Sequence, residues 1–261
     1  MIKTKVIGRV FRQDEIADQI YDMWIETELA QGARPGQFVC VYTKNAAALL
    51  PRPISICEVN EEKTMLRLVY RTVGTGTNEF AAYHAGTEIS LLGPLGNGFP
   101  VEKAAGKRVF LIGGGIGIPP MLQLSKEIKK AGQAYCELSV LGYRNELFLN
   151  TDLEKYSQVY VATEDGSAGT KGTVLDAIKE KGLSGDVIFA CGPMPMLRAI
   201  KKYAAANNME AYISLEEHMA CGVGACLGCV CKTKNVDAHS HVHNSRICTD
   251  GPVYNAEEVE I

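Results

Sequence analysis

The sequence lacks a long hydrophobic run, a strong excess of charge of either sign and any secretory signal pattern. Its longest apolar window, residues 109–124, contains four glycines and two prolines, whereas a membrane-spanning helix needs about 20 consecutive apolar residues. Lys and Arg number 27 against 30 Asp and Glu, giving a formal charge of −3, which disfavours a nucleic-acid or anionic-membrane surface. We therefore expect a cytoplasmic protein with no membrane and no nucleic-acid partner.

Cysteine, by contrast, is abundant and unevenly distributed. Five of the nine cysteines fall in the last 41 residues, and four of these lie between positions 221 and 231. A secreted disulfide scaffold is usually short and has an even cysteine count. The pattern instead indicates a reducing compartment and a metal site.

The spacing of the C-terminal cysteines favours one kind of metal. Cys221, Cys226 and Cys229 form a C-x4-C-x2-C pattern, and Cys248 follows nineteen positions later. This is the plant-type ferredoxin spacing, in which four thiolates hold a 2Fe-2S cluster. Cys231 is an extra thiol that we interpret as a small buried residue beside the cluster.

Zinc is the alternative occupant of this segment, because His239, His241 and His243 lie close by. Structural zinc sites usually present C-x2-C or H-x3-H pairs, whereas the first cysteine pair here is separated by four residues. The i, i+2 spacing of the histidines is typical of an exposed polar strand face. The spacing therefore favours the iron-sulfur interpretation.

The first hundred residues and the following hundred differ in pattern. Short β-rich runs, punctuated by glycine and proline, predict an antiparallel barrel or sandwich in the first region. The predicted strands there are 5–11, 20–27, 37–42, 54–59, 65–71 and 88–92.

From residue 106 apolar strands alternate with amphipathic helices, which predicts a parallel sheet covered by helices on both faces. The predicted strands are 109–112, 137–141, 159–162, 187–190 and 211–215, and the predicted helices are 121–130, 174–181 and 194–207.

A glycine-rich turn joins the first of these strands to its helix. Gly113, Gly114, Gly115 and Gly117 would bring bare backbone amides and a helix N-terminus to a nucleotide pyrophosphate. Pro120 replaces the last glycine of the usual dinucleotide motif. A purely structural turn therefore remains an alternative on this motif alone.

Two further loops favour a nucleotide at the same edge of the sheet. Cys191-Gly192-Pro193 follows a buried strand, at the carboxyl end where ligands bind in open α/β sheets. Glu164 and Asp165 follow another strand and could accept hydrogen bonds from a ribose, which would favour NAD. Arg144 is a contrary signal, since arginine suits a phosphate, and a solvated loop remains the alternative for the acidic pair.

These motifs, together with Arg52-Pro53-Ile54-Ser55, occur in an order that resembles the ferredoxin-NADP reductase superfamily. With the cysteine-rich tail, the chain resembles most closely the electron-transfer subunits of NAD-linked bacterial dihydroorotate dehydrogenases. The match extends over essentially the whole chain and includes residues 35–39, 93–99 and 216–221.

The resemblance implies an FAD site in the β-rich region. Arg52 would bond the pyrophosphate, Ser55 would lie near the flavin N5 edge, and Tyr70 would line the flavin. Apart from these three, the implied FAD residues are Pro53, Ile54, Val69, Arg71, Gly76 and Thr77. No general acid or base is implied, because electrons would pass through the cofactors.

The resemblance also implies a domain order and a partner. Residues 1–100 would form the FAD-binding barrel, 101–210 the NAD-binding α/β domain and 211–261 the 2Fe-2S domain. Electrons would pass from an FMN-containing catalytic subunit, which oxidises dihydroorotate, through the cluster and FAD to NAD+. We expect a heterotetramer of two subunits of each kind.

Two functional alternatives remain open at this point. The same cofactors could serve a hydrogenase, a sulfide dehydrogenase or a transhydrogenase-type complex. A zinc-stabilised nucleotide-sensing module without enzymatic activity is the more distant possibility.

Overall fold

The computed structural model describes residues 5–237 and 241–261. The N-terminal region is a closed barrel of six antiparallel strands in the order β1-β2-β5-β4-β3-β6, which confirms the barrel prediction. The strands are β1 (Lys5–Ala17), β2 (Ile20–Glu26), β3 (Phe38–Tyr42), β4 (Arg52–Val59), β5 (Met65–Arg71) and β6 (Glu88–Leu95). One short helix, α1 (Thr75–Ala81), lies between β5 and β6 in the chain.

The barrel forms because each strand directs alternate apolar side chains inward. Ile25, Leu66 and Leu91 are fully buried in its core, and burial of each large side chain contributes about 1.5–3 kcal/mol. β1 extends beyond its predicted end at residue 11, since its polar residues 12–15 continue to pair with β2. Of these, Arg12, Asp14 and Glu15 are exposed, whereas Gln13 is half-buried.

The second region is a parallel sheet with helices, as predicted. Its parallel strands follow the order β10-β9-β8-β7-β11-β12. They are β7 (Arg108–Gly114), β8 (Cys136–Tyr143), β9 (Gln158–Thr163), β10 (Thr170–Lys171), β11 (Val187–Cys191) and β12 (Glu210–Ser214). The helices are α2 (Pro119–Ala131), α3 (Asn150–Leu153), α4 (Val174–Glu180) and α5 (Met194–Ala206).

The strand order reverses at β7, which has β8 on one side and β11 on the other. The chain leaves β7 toward β8 and β9, and later returns to add β11 and β12 on the opposite side. In open α/β sheets, ligands bind at the carboxyl ends of the strands beside such a reversal. The glycine turn at residues 113–117 occupies that place.

The C-terminal segment contains the hairpin β13 (Val230–Lys232) and β14 (Asn244–Arg246), followed by β15 (Val253–Asn255). β15 pairs antiparallel with β12 and so returns the end of the chain to the edge of the parallel sheet. Cys229 and Cys248 belong to one buried core with Phe38 of the barrel and Ile213 of the sheet. In the described part of the chain, no helix has the length and apolar character needed to cross a membrane.

Candidate functional site

A cavity of about 610 Å³ opens between the barrel and the parallel sheet. Eight of the nine residues predicted for FAD line it: Arg52, Pro53, Ile54, Ser55, Val69, Tyr70, Arg71 and Thr77. Its remaining wall includes Ile116 of the glycine turn and residues 214–219, which follow β12. The cavity therefore adjoins both the nucleotide edge of the sheet and the segment leading to the cysteine loop.

The ninth predicted residue, Gly76, lies directly beneath Arg52. A Cβ atom on Gly76 would lie 2.0 Å from the Arg52 Nε and 2.4 Å from its Cζ. The Arg52 guanidinium therefore rests against the start of α1, and it also donates a hydrogen bond to the Leu50 carbonyl. Thr77 orders the same loop, because its hydroxyl accepts hydrogen bonds from the amides of Val73 (2.9 Å) and Gly74 (3.2 Å).

Tyr70 forms a rigid part of the cavity wall. Its hydroxyl donates to Gln13 Oε1 at 2.8 Å, and its ring stacks on Tyr21 with centroids 5.9 Å apart. Burial raises its pKa well above the ordinary tyrosine value, so the phenol remains protonated. Ser55 also lines the cavity and makes no side-chain hydrogen bond to any of the described residues.

The glycine turn and the Cys191-Gly192-Pro193 loop are in direct contact. A Cβ on Gly117 would lie 2.3 Å from the Cys191 carbonyl oxygen, and one on Gly114 would lie 3.0 Å from Pro193. A Cβ on Gly113 would likewise lie 2.8 Å from the Ile118 side chain. These glycines are therefore required by packing, whereas Gly115 has a left-handed φ of +52° and open space around it.

Glu164 and Asp165 follow β9 at the same carboxyl edge. The Glu164 amide donates to the Tyr143 carbonyl at 3.1 Å. Asp165 closes the turn by accepting from the Ser167 amide at 2.9 Å, and hydrogen bonds from Ser167 lower its pKa. Glu164 is exposed, and within the described chain its carboxylate has no partner.

The four predicted ligand cysteines form two thiol pairs, Cys221 with Cys226 and Cys229 with Cys248, each within hydrogen-bonding reach. Two pairs match a 2Fe-2S cluster, in which each iron takes two protein ligands. In residues 5–237 and 241–261, no three His, Cys, Asp or Glu side chains converge on a single-ion position.

The loop amides face the sulfur atoms of these cysteines. Val223 and Ala225 donate to the Cys221 Sγ at 3.4 and 3.3 Å, and Gly224 donates to the Cys248 Sγ at 3.2 Å. Burial would raise the pKa of Cys221, but the hydrogen bonds outweigh it and lower the value to about 6. A thiolate therefore forms readily there, and the loop fits a metal cluster held by thiolates.

Two of the remaining metal-binding candidates, Cys231 and His243, have local partners. Burial raises the pKa of Cys231, and its half-buried thiol is hydrogen-bonded to Tyr254. His243 is exposed and its Nδ1 lies 2.9 Å from the Lys234 carbonyl. His241 is also exposed, and His239 lies outside the described residues.

Gly222 fixes the cysteine loop to the barrel. It has a left-handed φ of +69°, and a Cβ would lie 2.9 Å from the buried Cys40 Sγ and 3.2 Å from Leu95. Gly228 has no such constraint, since its nearest contact would be the Cys226 Sγ at 3.4 Å.

We therefore expect Gly222→Ala to destabilise the loop by at least about 1–2 kcal/mol, the cost of a left-handed alanine, and to lower the iron content per chain. Gly228→Ala is the matched control and should retain its iron. Iron analysis with thermal unfolding of both variants measures this. Equal iron content in the two variants would show that the close approach to Cys40 is not required.

Glu216, for which the sequence predicts no role, also lines the cavity. Although its side chain is accessible from the cavity, the surrounding protein desolvates the carboxyl and raises its pKa. Burial, and to a smaller extent the negative charge of Glu216, raises the pKa of the Cys191 thiol. The family resemblance includes residues 216–221 but implies no role for Glu216, which the fold brings to the cavity at the end of β12.

This combination of a barrel, a parallel sheet and a cavity between them defines the ferredoxin-NADP reductase fold. A ferredoxin-NADP+ reductase from Neisseria gonorrhoeae aligns with a TM-score of 0.65 at 15% identity, covering 78% of this chain and 91% of that one. A structure of an NADH-dependent reduced ferredoxin-NADP oxidoreductase aligns with a TM-score of 0.86 at 29% identity, covering 98% of this chain and 90% of that one.

Sequence comparison specifies the family. Residues 111–202 match the oxidoreductase NAD-binding domain, and residues 216–260 match the iron-sulfur cluster binding domain of dihydroorotate dehydrogenase B. The chain is 42% identical over 255 residues to the electron transfer subunit of dihydroorotate dehydrogenase B (NAD+) from Geobacillus sp., covering 96% of each chain. It is 40% identical to that of Listeria monocytogenes over the full length of both. The chain belongs to this family of electron transfer subunits, as its motifs predicted.

Proposed function

We propose that this chain carries electrons between an FMN-containing dihydroorotate dehydrogenase subunit and NAD+ in pyrimidine biosynthesis. The observation that carries the proposal is the composition of the cavity wall, which combines barrel residues, Ile116 of the glycine turn and the segment ending at Met219. Cys221 follows Met219 by two residues. A flavin in this cavity would have the nicotinamide site on one side and the cluster loop on another.

The cavity residues fit FAD. Bound FAD exchanges two electrons with a nicotinamide as hydride and single electrons with an iron-sulfur cluster. The Arg52 fork suits the pyrophosphate, because a guanidinium forms paired charge-assisted hydrogen bonds with phosphate oxygens. Ser55 supplies a free hydroxyl, and the stacked Tyr70 ring keeps the wall rigid.

The glycine turn and the Cys191-Gly192-Pro193 loop would hold NAD. Close packing of the two loops fixes the glycine turn at the N-terminus of α2. Pro119 and Pro120 carry no N–H, and the Ile118 and Met121 amides are bonded to the Gly115 and Ile118 carbonyls. The turn itself would therefore supply the amides for a pyrophosphate. Glu164, whose carboxylate has no partner among residues 5–237 and 241–261, would accept hydrogen bonds from the adenosine ribose, while Asp165 maintains the turn.

We expect Glu164→Arg to lower the ratio of kcat/KM for NADH over NADPH by about tenfold or more, equivalent to about 1.4 kcal/mol. The substitution removes the ribose acceptor and adds a group that binds a 2′-phosphate. Asp165→Asn is the control and should affect stability more than selectivity. If the control changes selectivity more than Glu164→Arg does, the ribose contact belongs to Asp165.

The cluster loop also provides a docking surface for the catalytic subunit. Val223, Leu227 and Val230 are exposed around the cysteines, and burying apolar residues of this kind is typical of the core of a protein interface. Electrons that pass between the cluster and the catalytic subunit need a short distance, so we place the partner on this face.

Val223→Asp should weaken the complex by about 2 kcal/mol, or about thirtyfold in Kd, if Val223 lies in the interface core. Tyr135→Asp is the control, since Tyr135 is 80% exposed and lies in the loop before β8. Co-purification and sedimentation of the two subunits measure the effect and the two-plus-two stoichiometry. An intact complex with Val223→Asp would place the partner elsewhere.

The proposed function is tested by the activity of the co-expressed complex. Anaerobic addition of dihydroorotate and NAD+ should produce NADH, and neither subunit alone should do so. A complex that reduces NAD+ with hydrogen or sulfide, but not with dihydroorotate, would assign the chain to another reductase.

A further inference from the structure

Strand β4 and helix α2 lie side by side across the boundary between the barrel and the parallel sheet. β4 begins with the cavity residues Arg52 to Ser55 and ends at Glu58 and Val59. α2 begins directly after the glycine turn, whose Ile116 also lines the cavity. The start of β4 and the start of α2 therefore each lie at a proposed cofactor site. The end of β4 contacts the middle of α2.

Two side chains of α2 bond the far end of β4. The Val59 amide donates to Gln123 Oε1 at 2.8 Å, and Lys126 Nζ donates to the Val59 carbonyl and to Glu58 Oε1, both at 3.1 Å. Gln123 is 3% exposed, and its own amide nitrogen donates to Glu127 at 2.9 Å, which fixes its orientation.

These bonds replace missing strand pairing. The register between β3 and β4 ends at Phe38 and Ser55, so β3 does not reach the last residues of β4. The side chains of α2 take both the N–H and the C=O of Val59, since buried backbone groups need partners. The end of the flavin strand is thus completed by the helix that carries the nicotinamide turn.

A buried arginine adds a second connection across the same boundary. Arg67 on β5 is bonded to Asp22 at 2.9 and 2.8 Å and to Glu58 at 3.1 Å within the barrel. It also donates to Asp152 of α3 at 3.0 Å. Glu58 therefore has two cationic partners, Arg67 and Lys126, and keeps one of them if the other is removed.

We propose that Gln123 and Lys126 are positioning residues that hold the nicotinamide turn in register with the flavin cavity. This inference rests on the proposed transfer of hydride between NAD and FAD. Such transfer needs reacting atoms about 3–3.5 Å apart, and a displacement of about 1 Å can cost about a hundredfold in rate. Interfaces between domains allow relative motion by default, and these bonds oppose that motion at α2.

Lys126→Met tests this role in the complex with the catalytic subunit. The methionine preserves most of the side-chain volume, and Glu58 remains paired with Arg67, so the variant should fold. We expect flavin reduction by NADH to slow by about 10- to 100-fold. The long-wavelength absorbance band of stacked nicotinamide and flavin should weaken, while FAD content stays within about twofold of the wild type.

Lys126→Arg should restore both the band and the rate, because it can again reach Glu58 and Val59. Lys130→Met, an exposed position on the same helix, is the matched control and should behave as the wild type. Gln123→Met provides a second variant with the same expected loss of the band.

The outcomes separate the two proposals. If the wild type holds no FAD or is not reduced by NADH, the proposed function fails and this role with it. If the wild type reacts but Lys126→Met and Gln123→Met keep the band and the rate within about twofold, the bonds serve stability alone and the positioning role is overturned.

Discussion

We expect Cys248→Ser to yield a folded protein that retains FAD and loses its iron and labile sulfide. Cys248 is fully buried, pairs with Cys229 and accepts the Gly224 amide at 3.2 Å. The Ile247 amide donates to the Cys229 carbonyl at 2.9 Å, so the segment is fixed beside its partner thiol. A serine hydroxyl is a harder ligand and binds the iron of a cluster less well than a thiolate.

Two partial reactions should respond differently to Cys248→Ser. NADH should still reduce the flavin, whereas electron exchange with the catalytic subunit should fall by at least about a hundredfold, because the cluster is the only proposed route between that subunit and FAD. Iron and sulfide analysis, the visible spectrum and paramagnetic resonance of the reduced protein measure the loss.

Cys231→Ser is the matched control, since the Cys231 thiol is half-buried and bonded to Tyr254. It should keep a full cluster. A Cys248→Ser variant with the iron content and spectrum of the wild type, or a cluster that is lost in Cys231→Ser, would show that the ligand set of Cys221, Cys226, Cys229 and Cys248 is wrong.

The second large effect is expected at Arg52. Removing the guanidinium in Arg52→Ala should weaken FAD binding by about 3 kcal/mol, or about a hundredfold in Kd, since hydrogen bonds to charged groups contribute about 1.5–3 kcal/mol each. Arg52→Lys keeps the charge without the planar fork and should give an intermediate loss.

Gly76→Ala offers an independent test of the same contact. Its Cβ would lie 2.0 Å from the Arg52 Nε, so the guanidinium must move away from the start of α1. We expect a loss of FAD affinity close to that of Arg52→Ala. Fluorescence titration of the apoprotein with FAD measures all three variants, and a change below about twofold in Arg52→Ala would remove Arg52 from the FAD site.

The regular elements of both large regions could be predicted from sequence because their patterns are local. The predicted strand 65–71 coincides with β5, and the predicted strand 54–59 lies within β4. The alternation of apolar strands and amphipathic helices from residue 106 correctly predicted the parallel sheet. Helix α1 was not predicted, because its seven residues contain little apolar periodicity and depend on the Thr77 hydrogen bonds.

Elements that exist only through long-range pairing have no recognisable pattern in the sequence. β15 is three residues long and exists through its pairing with β12. The predicted domain boundary after residue 210 falls at the start of β12, and the three-domain division remains a prediction. A strand this short has no period that a sequence could reveal.

The residues of the candidate site also divide into those that a local motif marks and those that only the folded structure brings together. Motif residues such as Arg52 and Gly117 were predicted because their chemistry requires a particular residue type in a particular turn. Glu216 and the bonds of Gln123 and Lys126 were not predicted, because their significance arises only when distant segments meet. No local sequence pattern shows that the Gln123 side chain will accept a hydrogen bond from the Val59 amide at the end of β4.

The central claim is that one chain holds a flavin between a nicotinamide site and a 2Fe-2S cluster. Anaerobic titration of the purified complex with NADH, combined with FAD, iron and sulfide analysis of this subunit, tests it most directly. We expect one FAD, two irons and two sulfides per chain, with bleaching of both flavin and cluster absorbance. A colourless subunit that contains zinc and no iron or flavin would contradict it.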